Sequence, residues 1–330
     1  MDPTISQQGA LARKWNTLFS SSGISFSVDR SRGGVVVAEL NNSQGGVARV
    51  STTGAHLLSA SMSASGQEIF YLSSKSKYPP VGPIRGGNPL VLGWFGGREG
   101  FPSHGFGRML EWIPVATSNK NGAQSLILET GSATLRQHPL FRNDETWGSR
   151  EFTARLELAF SSNRIEQTVR FTNTGPGPFD FQAGFHPYFR VSNYRQVSVK
   201  GLEELAHLDS LNNRTRQEAV QHPISFSGAL DRIYLPQPMA NVEHTSIVDA
   251  EFEREIIVGQ HGLSHWVVWN PGDEKQNWKE DIDGNDGFVC VEPMHAIGMQ
   301  TLSPNATAVF GLSIAEVSCP NLSAMDPFAP

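Results

Sequence analysis

The chain has 330 residues, a net charge of −6 at pH 7 and two cysteines, with a pI near 5.9. This acidic balance excludes nucleic acid as a partner, which demands clustered Lys and Arg, but leaves room for an anionic small molecule held by a few local arginines. Cys290 and Cys319 build neither a disulfide framework nor a paired-cysteine zinc site, and no apolar run reaches the ~18 residues of a membrane span.

Residues 1–23 read as an N-terminal extension with a short helix over 5–19. They contain Asp2, Arg13 and Lys14 without a sustained apolar stretch, so they do not read as a secretory signal. With reduced thiols this places the chain in the cytoplasm, an organelle reached through a lost targeting peptide staying open. From residue 24 to 330 a single domain is expected, since all-β sandwiches often exceed ~200 residues as one unit. Strands are predicted at Val35–Leu40, Val47–Thr52, Glu68–Leu72 and Leu126–Thr130. In Phe152–Phe160 apolar residues fall at 152, 154, 156, 158 and 160, the period of a half-buried strand. Ile165–Phe171 repeats it with Gln167 as the exception, and Ser161–Arg164 between them reads as a hairpin turn. Further strands are predicted at Phe179–Val191, Trp266–Trp269, Phe288–Glu292 and Phe310–Ile314, and residues 203–211 as a helical turn. Roughly fifteen strands at this spacing, with turn-forming Gly and Pro between them, predict an all-β fold, one large antiparallel β-sandwich.

Four segments set ionisable residues among glycines and aromatics: Ile84–Gly96, Ser103–Trp112, Gly184–Arg190 and Phe288–Pro293. If Phe288, Cys290 and Glu292 share one face, Glu292 emerges at a strand end. There it is either a salt-bridged strand-end residue or a carboxylate whose pKa is raised by apolar surroundings, fit to act as a base. His186 lies in an aromatic run and is either a hydrogen-bonded core residue or a proton donor near neutral pH. Arg85 and Arg108 sit in glycine-flanked loops, either as surface residues or as bidentate phosphate partners. His104 shares that ambiguity. Trp94 and Trp112 are either a stacking wall for a sugar ring or core. Glu292 and His295 stand three apart, but no HExxH accompanies them, so no metal is expected. A strand–GxGxxG–helix and a P-loop are both missing, which disfavours nucleotide folds.

Together these segments resemble the hexose-6-phosphate mutarotases, or glucose-6-phosphate 1-epimerases, of the aldose 1-epimerase (galactose mutarotase-like) superfamily. The resemblance rests on the Arg85–Gly96 loop, His104-Gly-Phe-Gly-Arg108 followed by Trp112, His186-Pro-Tyr-Phe189, Val267–Pro271 and Cys290-Val-Glu292. Lesser matches are Gly54-Ala-His56, Asn173-Thr-Gly175 and Asp231-Arg-Ile-Tyr234. It spans residues 24–318. It departs from the family at Ser103, where Gln is common, at Gly107, where Ala is usual, and in the Gly201–Asp209 stretch.

The resemblance implies a galactose mutarotase-like supersandwich and a small-molecule sugar phosphate as ligand. It implies His186 and Glu292 as the catalytic pair, and Arg85, Arg108, Asp209 and His104 as substrate-binding residues. Interconversion of α and β anomers needs a base on the C1 hydroxyl and an acid on the ring oxygen, here Glu292 and protonated His186. No redox step occurs, so no cofactor is expected. The alternative from another class is a non-catalytic carbohydrate-binding or assembly subunit with a protein partner, since fold does not fix function.

Overall fold

The computed structural model describes residues 3–78, 82–236, 242–273, 281–284 and 286–319. Helix Pro3–Leu18 opens the chain, one turn's margin from the expected 5–19. Its Ala12 and Trp15 are buried in the main hydrophobic core, and the Trp15 ring lies 5.6 Å from that of Phe26. The Asn16 amide donates to the Phe26 carbonyl at 2.8 Å and accepts the Phe26 N–H at 2.7 Å. Residues 1–23 therefore include a helix tied to the first strand.

That strand, Ser25–Asp29, begins a four-stranded antiparallel sheet with Val35–Asn41, Gly45–Ser51 and His56–Ser63. Two nine-stranded sheets follow. The back sheet runs Ile224–Ser225, Val197–Lys200, His244–Asp249, Arg254–His261, Thr307–Ser318, Ile165–Asn173, Phe152–Phe160, Ala123–Gly131, Ile113–Lys120. Alternation dictates its construction: Phe152, Ala154, Leu156, Leu158 and Phe160 are all buried, and the residues between them face outward. Gln167, the polar exception in the neighbouring strand, is also buried, and its side-chain oxygen accepts from Asn88 Nδ2 at 2.6 Å. The turn at Ser161 closes with its N–H on the Arg164 carbonyl at 2.9 Å.

The site sheet runs Thr215–Gln217, His207–Asp209, Leu230–Tyr234, His265–Asn270, Phe288–Met294, Phe179–Phe185, Gln300–Leu302. Tyr188–Arg190 also pairs with Phe288–Met294, and Leu90–Gly93 with Phe179–Phe185. The two sheets meet through aromatic rings. Phe171 of the back sheet lies 5.3 Å from Phe152, 5.2 Å from Phe181 and 5.6 Å from Phe179. Burying each such ring contributes about 1.5–3 kcal/mol.

Four local expectations change. The predicted strand Phe179–Val191 is two strands, Phe179–Phe185 and Tyr188–Arg190, because Pro187 carries no N–H to continue the ladder. Of residues 203–211, only Ser210 and Leu211 enter a helical turn, the 3₁₀ turn Ser210–Asn212, while His207–Asp209 pairs with both neighbours in the sheet. Glu68–Leu72 makes only isolated bridges, Phe70 with Phe189 and Leu72 with Gly86. The short helix Glu145–Gly148 goes beyond the predicted elements. Its start signal is Asp144, whose carboxylate accepts from the N–H groups of Thr146 and Trp147. No described helix is long and apolar enough to cross a membrane.

Candidate active site

The break at Pro187 sets the site. On one side of it Gly184 pairs with Met294, and on the other Tyr188 pairs with Cys290. The register is the same across both, so His186 falls opposite Glu292. The strand does not end at Glu292 as expected but runs on to Met294, leaving the carboxyl 1% exposed in its interior. His186 Nδ1 lies 3.3 Å from Glu292 Oε1. The approach lacks hydrogen-bond geometry: Nδ1 and the second carboxyl oxygen, Oε2, have no hydrogen-bond partner among the described residues. The backbone around them is fully used, with His186 N–H donating to Pro89 O at 3.0 Å and Tyr188 N–H to Gly87 O at 2.8 Å.

Cross-strand partners on one row of a sheet face the same way. Asp231 pairs with Trp269, and Trp269 with Cys290, while Val267 pairs with Glu292. These rows form the floor of a cavity of about 360 Å³ whose wall includes Arg85, His104, His186, Asp231, Trp269 and Glu292. A larger recess of about 500 Å³ lies elsewhere, and its ionisable lining is Glu203 and Glu204. It offers neither an acid–base pair nor a cation.

Two loops roof the cavity. Arg85 precedes Gly86, whose φ of 107° and a Cβ that would fall 2.3 Å from the Tyr71 carbonyl exclude any side chain there. The Arg85 Nε–H donates to Asp281 Oδ2 at 2.9 Å. In the second loop His104 adopts φ 65°, a left-handed conformation uncommon outside glycine. This turns its ring edge-on to His186, with centroids 5.3 Å apart. The Tyr188 ring stacks on the other side of His186 at 4.9 Å.

The remaining expected residues stand differently. Arg108 is 2% exposed and lies behind the wall, donating from Nη2 to the Ser103 carbonyl at 2.5 Å. Ser103 thus meets Arg108 through its backbone. Asp209 is not part of the cavity wall. Its carboxylate accepts from Leu211 N–H at 3.1 Å and caps the 3₁₀ turn, so Leu211 and Asp231 face the cavity instead. Trp112 is core, with its Nε1–H on the Gly107 carbonyl at 3.0 Å, and Trp94 packs against Phe101, Phe106 and Phe141. The wall tryptophan is Trp269, edge-on to His186 at 5.9 Å. Gly107 leaves no room for the alanine usual there, since a Cβ would sit 2.8 Å from that of Leu92.

Burial, and then the positive fields of Arg108 and Arg85, pull the His186 pKa down to about 3. Burial, and then Asp231, push that of Glu292 well above the carboxylate range. Burial and neighbouring Arg85 lower Arg108 only to about 10, so it stays cationic at neutral pH. Both shifts favour a resting pair with its proton on the carboxyl and the imidazole neutral. The sequence reading had the proton on His186; desolvation reverses this, because it penalises the charged form of each partner.

The large antiparallel β-sandwich has the galactose mutarotase-like fold, and it carries a buried imidazole–carboxyl pair on the floor of an open cavity lined by Arg85. The chain belongs to the aldose 1-epimerase family, whose sequence profile matches residues 36–315. A protein of Cenchrus ciliaris, provisionally named a glucose-6-phosphate 1-epimerase, is 32% identical over 250 residues, 72% of each chain. An Escherichia coli K12 protein with the same provisional name is 29% identical over 266 residues, covering 79% of this chain and 84% of its own. The crystal structure of a provisionally assigned mutarotase from Salmonella typhimurium superposes with a TM-score of 0.77 at 26% identity, over 89% of this chain and 94% of that one.

Proposed function

We propose that the chain is an isomerase that interconverts the α and β anomers of an aldohexose 6-phosphate such as glucose 6-phosphate. The observation that carries this reading is the pair itself. Two groups able to exchange one proton stand 3.3 Å apart at a cavity floor, with a guanidinium on the same wall. Arg85 takes the substrate phosphate, and Arg108 adds positive field from behind. His104 and Asp231 face the sugar hydroxyls, and Trp269 offers an apolar ring face.

The phosphate does more than anchor. Its negative charge cancels the arginine fields that help hold His186 unprotonated, which favours passage of the proton from Glu292 to His186. His186 then protonates the ring oxygen while Glu292 takes the proton of the C1 hydroxyl. The ring opens to the aldehyde, the C1–C2 bond turns, and closure on the other face returns both protons. The pair gains and loses nothing overall, so the reaction needs no redox partner or cofactor. Placing both groups against one substrate converts the transfers into intramolecular steps.

Magnetisation-exchange NMR on the anomeric protons of glucose 6-phosphate tests the reading. Exchange above the spontaneous rate, lost in His186→Ala, is expected. A folded wild-type protein that binds the sugar phosphate without accelerating exchange would overturn catalysis and leave a carbohydrate-binding subunit.

A further inference from the structure

The strand Phe288–Met294 presents Cys290 and Glu292 on one face, two residues apart, and the register brings His186 opposite. The outcome is a cluster the sequence scatters: a thiol, an imidazole nitrogen and a carboxyl oxygen, all buried, with ligand atoms within 4.8 Å of one another. The proton-transfer chemistry uses the last two and leaves the thiol without a task. Nor is the cluster satisfied internally. His186 Nδ1 and Glu292 Oε2 are buried without hydrogen-bond partners among the described residues, and such groups are costly unless something else engages them.

Sulfur, nitrogen and oxygen donors together are the ligand set of a borderline-soft cation. Zinc takes bonds of about 2.3 Å to thiolate and about 2.0–2.2 Å to imidazole and carboxylate. Donor atoms around a tetrahedral ion therefore stand roughly 3.3–3.7 Å apart, a separation that His186 and Glu292 already have. The sulfur lies within 4.8 Å of both other donor atoms, so closing it onto them takes a movement of at most about 1.5 Å. His186 and Glu292 form part of the cavity wall, from which a water can complete the shell as in open zinc sites. Hard cations such as Mg²⁺ demand several oxygen ligands that this cluster lacks.

We propose that Cys290, His186 and Glu292 form a site for one Zn²⁺-like divalent cation, and that filling it locks the proton-transfer pair. Binding replaces the thiol and carboxyl protons by metal bonds and releases them to solvent. Both members of the pair are then coordinated and neither can exchange a proton with a sugar. The locking half rests on the mutarotase reading; the binding half does not.

Titration of the full chain with Co²⁺ tests the binding half directly. One equivalent is expected to give an intense near-ultraviolet thiolate-to-cobalt band with visible bands of tetrahedral intensity, displaced by Zn²⁺ and unaffected by excess Mg²⁺. Absence of the thiolate band in wild type overturns the site without reference to any variant. In Cys290→Ser, which keeps the side-chain size, zinc affinity by calorimetry should fall by more than the ~10–100-fold that loss of an outer supporting partner costs. Unchanged affinity overturns the proposal. Zinc should abolish anomer exchange in wild type at concentrations that leave Cys290→Ser active, and equal inhibition of both would place the ion elsewhere. If glucose 6-phosphate exchange is absent from the start, the cobalt spectrum still decides the metal site.

Discussion

The two nine-stranded sheets obey different rules. The back sheet is built of long strands such as Phe152–Phe160, Ile165–Asn173 and Thr307–Ser318, with one face toward the core and one outward. The site sheet is built of shorter pieces, and its central strand Phe288–Met294 is buried on both faces. It places polar residues inside, among them His186, Asn270 and Glu292. Regular alternation gives a rigid wall, while interruption gives a place where side chains meet across a broken ladder. The candidate site belongs to the second kind of sheet, because the break at Pro187 leaves His186 opposite Glu292 on the cavity wall.

Exchanging damage between the sheets sharpens the contrast. The largest effect expected is on rate: Glu292→Gln should lower anomer exchange by ~10²–10⁴-fold, the usual worth of a general acid–base group, with thermal stability no lower than that of wild type. A variant that kept full exchange would remove Glu292 from the chemistry. The mirror-image change is Phe171→Ala in the back sheet. Deleting a fully buried ring costs about 3–5 kcal/mol, read as a lower denaturation midpoint, while exchange by the remaining folded protein stays near wild type. Coupled losses in both variants would mean that the sheets are not separable in this way.

An intermediate effect falls at the cavity wall. Arg85→Gln removes a charged hydrogen-bond donor worth about 1.5–3 kcal/mol. It should raise KM for glucose 6-phosphate by roughly 10–100-fold and leave unphosphorylated glucose unaffected. Equal loss on both sugars would argue that Arg85 holds Asp281 in place and touches no phosphate.

The same contrast explains what the sequence could and could not disclose. Part of the back sheet was legible almost to the residue, because period-two burial is written in single strands such as Phe152–Phe160 and Ile165–Asn173, whereas its strands Ile113–Lys120, Val197–Lys200, His244–Asp249 and Arg254–His261 were not predicted. The loop and strand segments carrying Arg85, His104, His186 and Glu292 were visible as motifs. Their mutual placement was not, since it depends on register between strands about a hundred positions apart. Asp209 and Asp231 show the limit. Both are acidic and stand near the same cavity, but only the pairing of Asp231 with Trp269 puts one of them on the wall, and no local pattern encodes it. Trp94 and Trp112 looked like ring platforms for the same reason that Trp269 was passed over: aromatic character does not say which side of a sheet a residue faces. A raised pKa at Glu292 was among the sequence's readings, but the depressed pKa of His186 was beyond reach, because its desolvation is a property of the folded surroundings.

The smallest effect expected reports on that last point. Glu292 has a folded pKa raised above its unfolded value, first by burial and then by Asp231. Below about pH 4.5 it is protonated in both states. As pH rises the unfolded chain releases the proton while the folded chain keeps it, so the associated stability is lost until pH passes the folded pKa. Glu292→Gln cannot titrate. Its denaturation midpoint relative to wild type should therefore climb between pH 5 and pH 8, whereas titrations common to both proteins cancel. Each unit by which the pKa is raised corresponds to about 1.4 kcal/mol, or about 2 °C in the midpoint of a chain of this size. A difference that stays flat across this range would show Glu292 already ionised in the resting protein. The proton shared with His186 would then have to come from the imidazole, against the fields of Arg108 and Arg85.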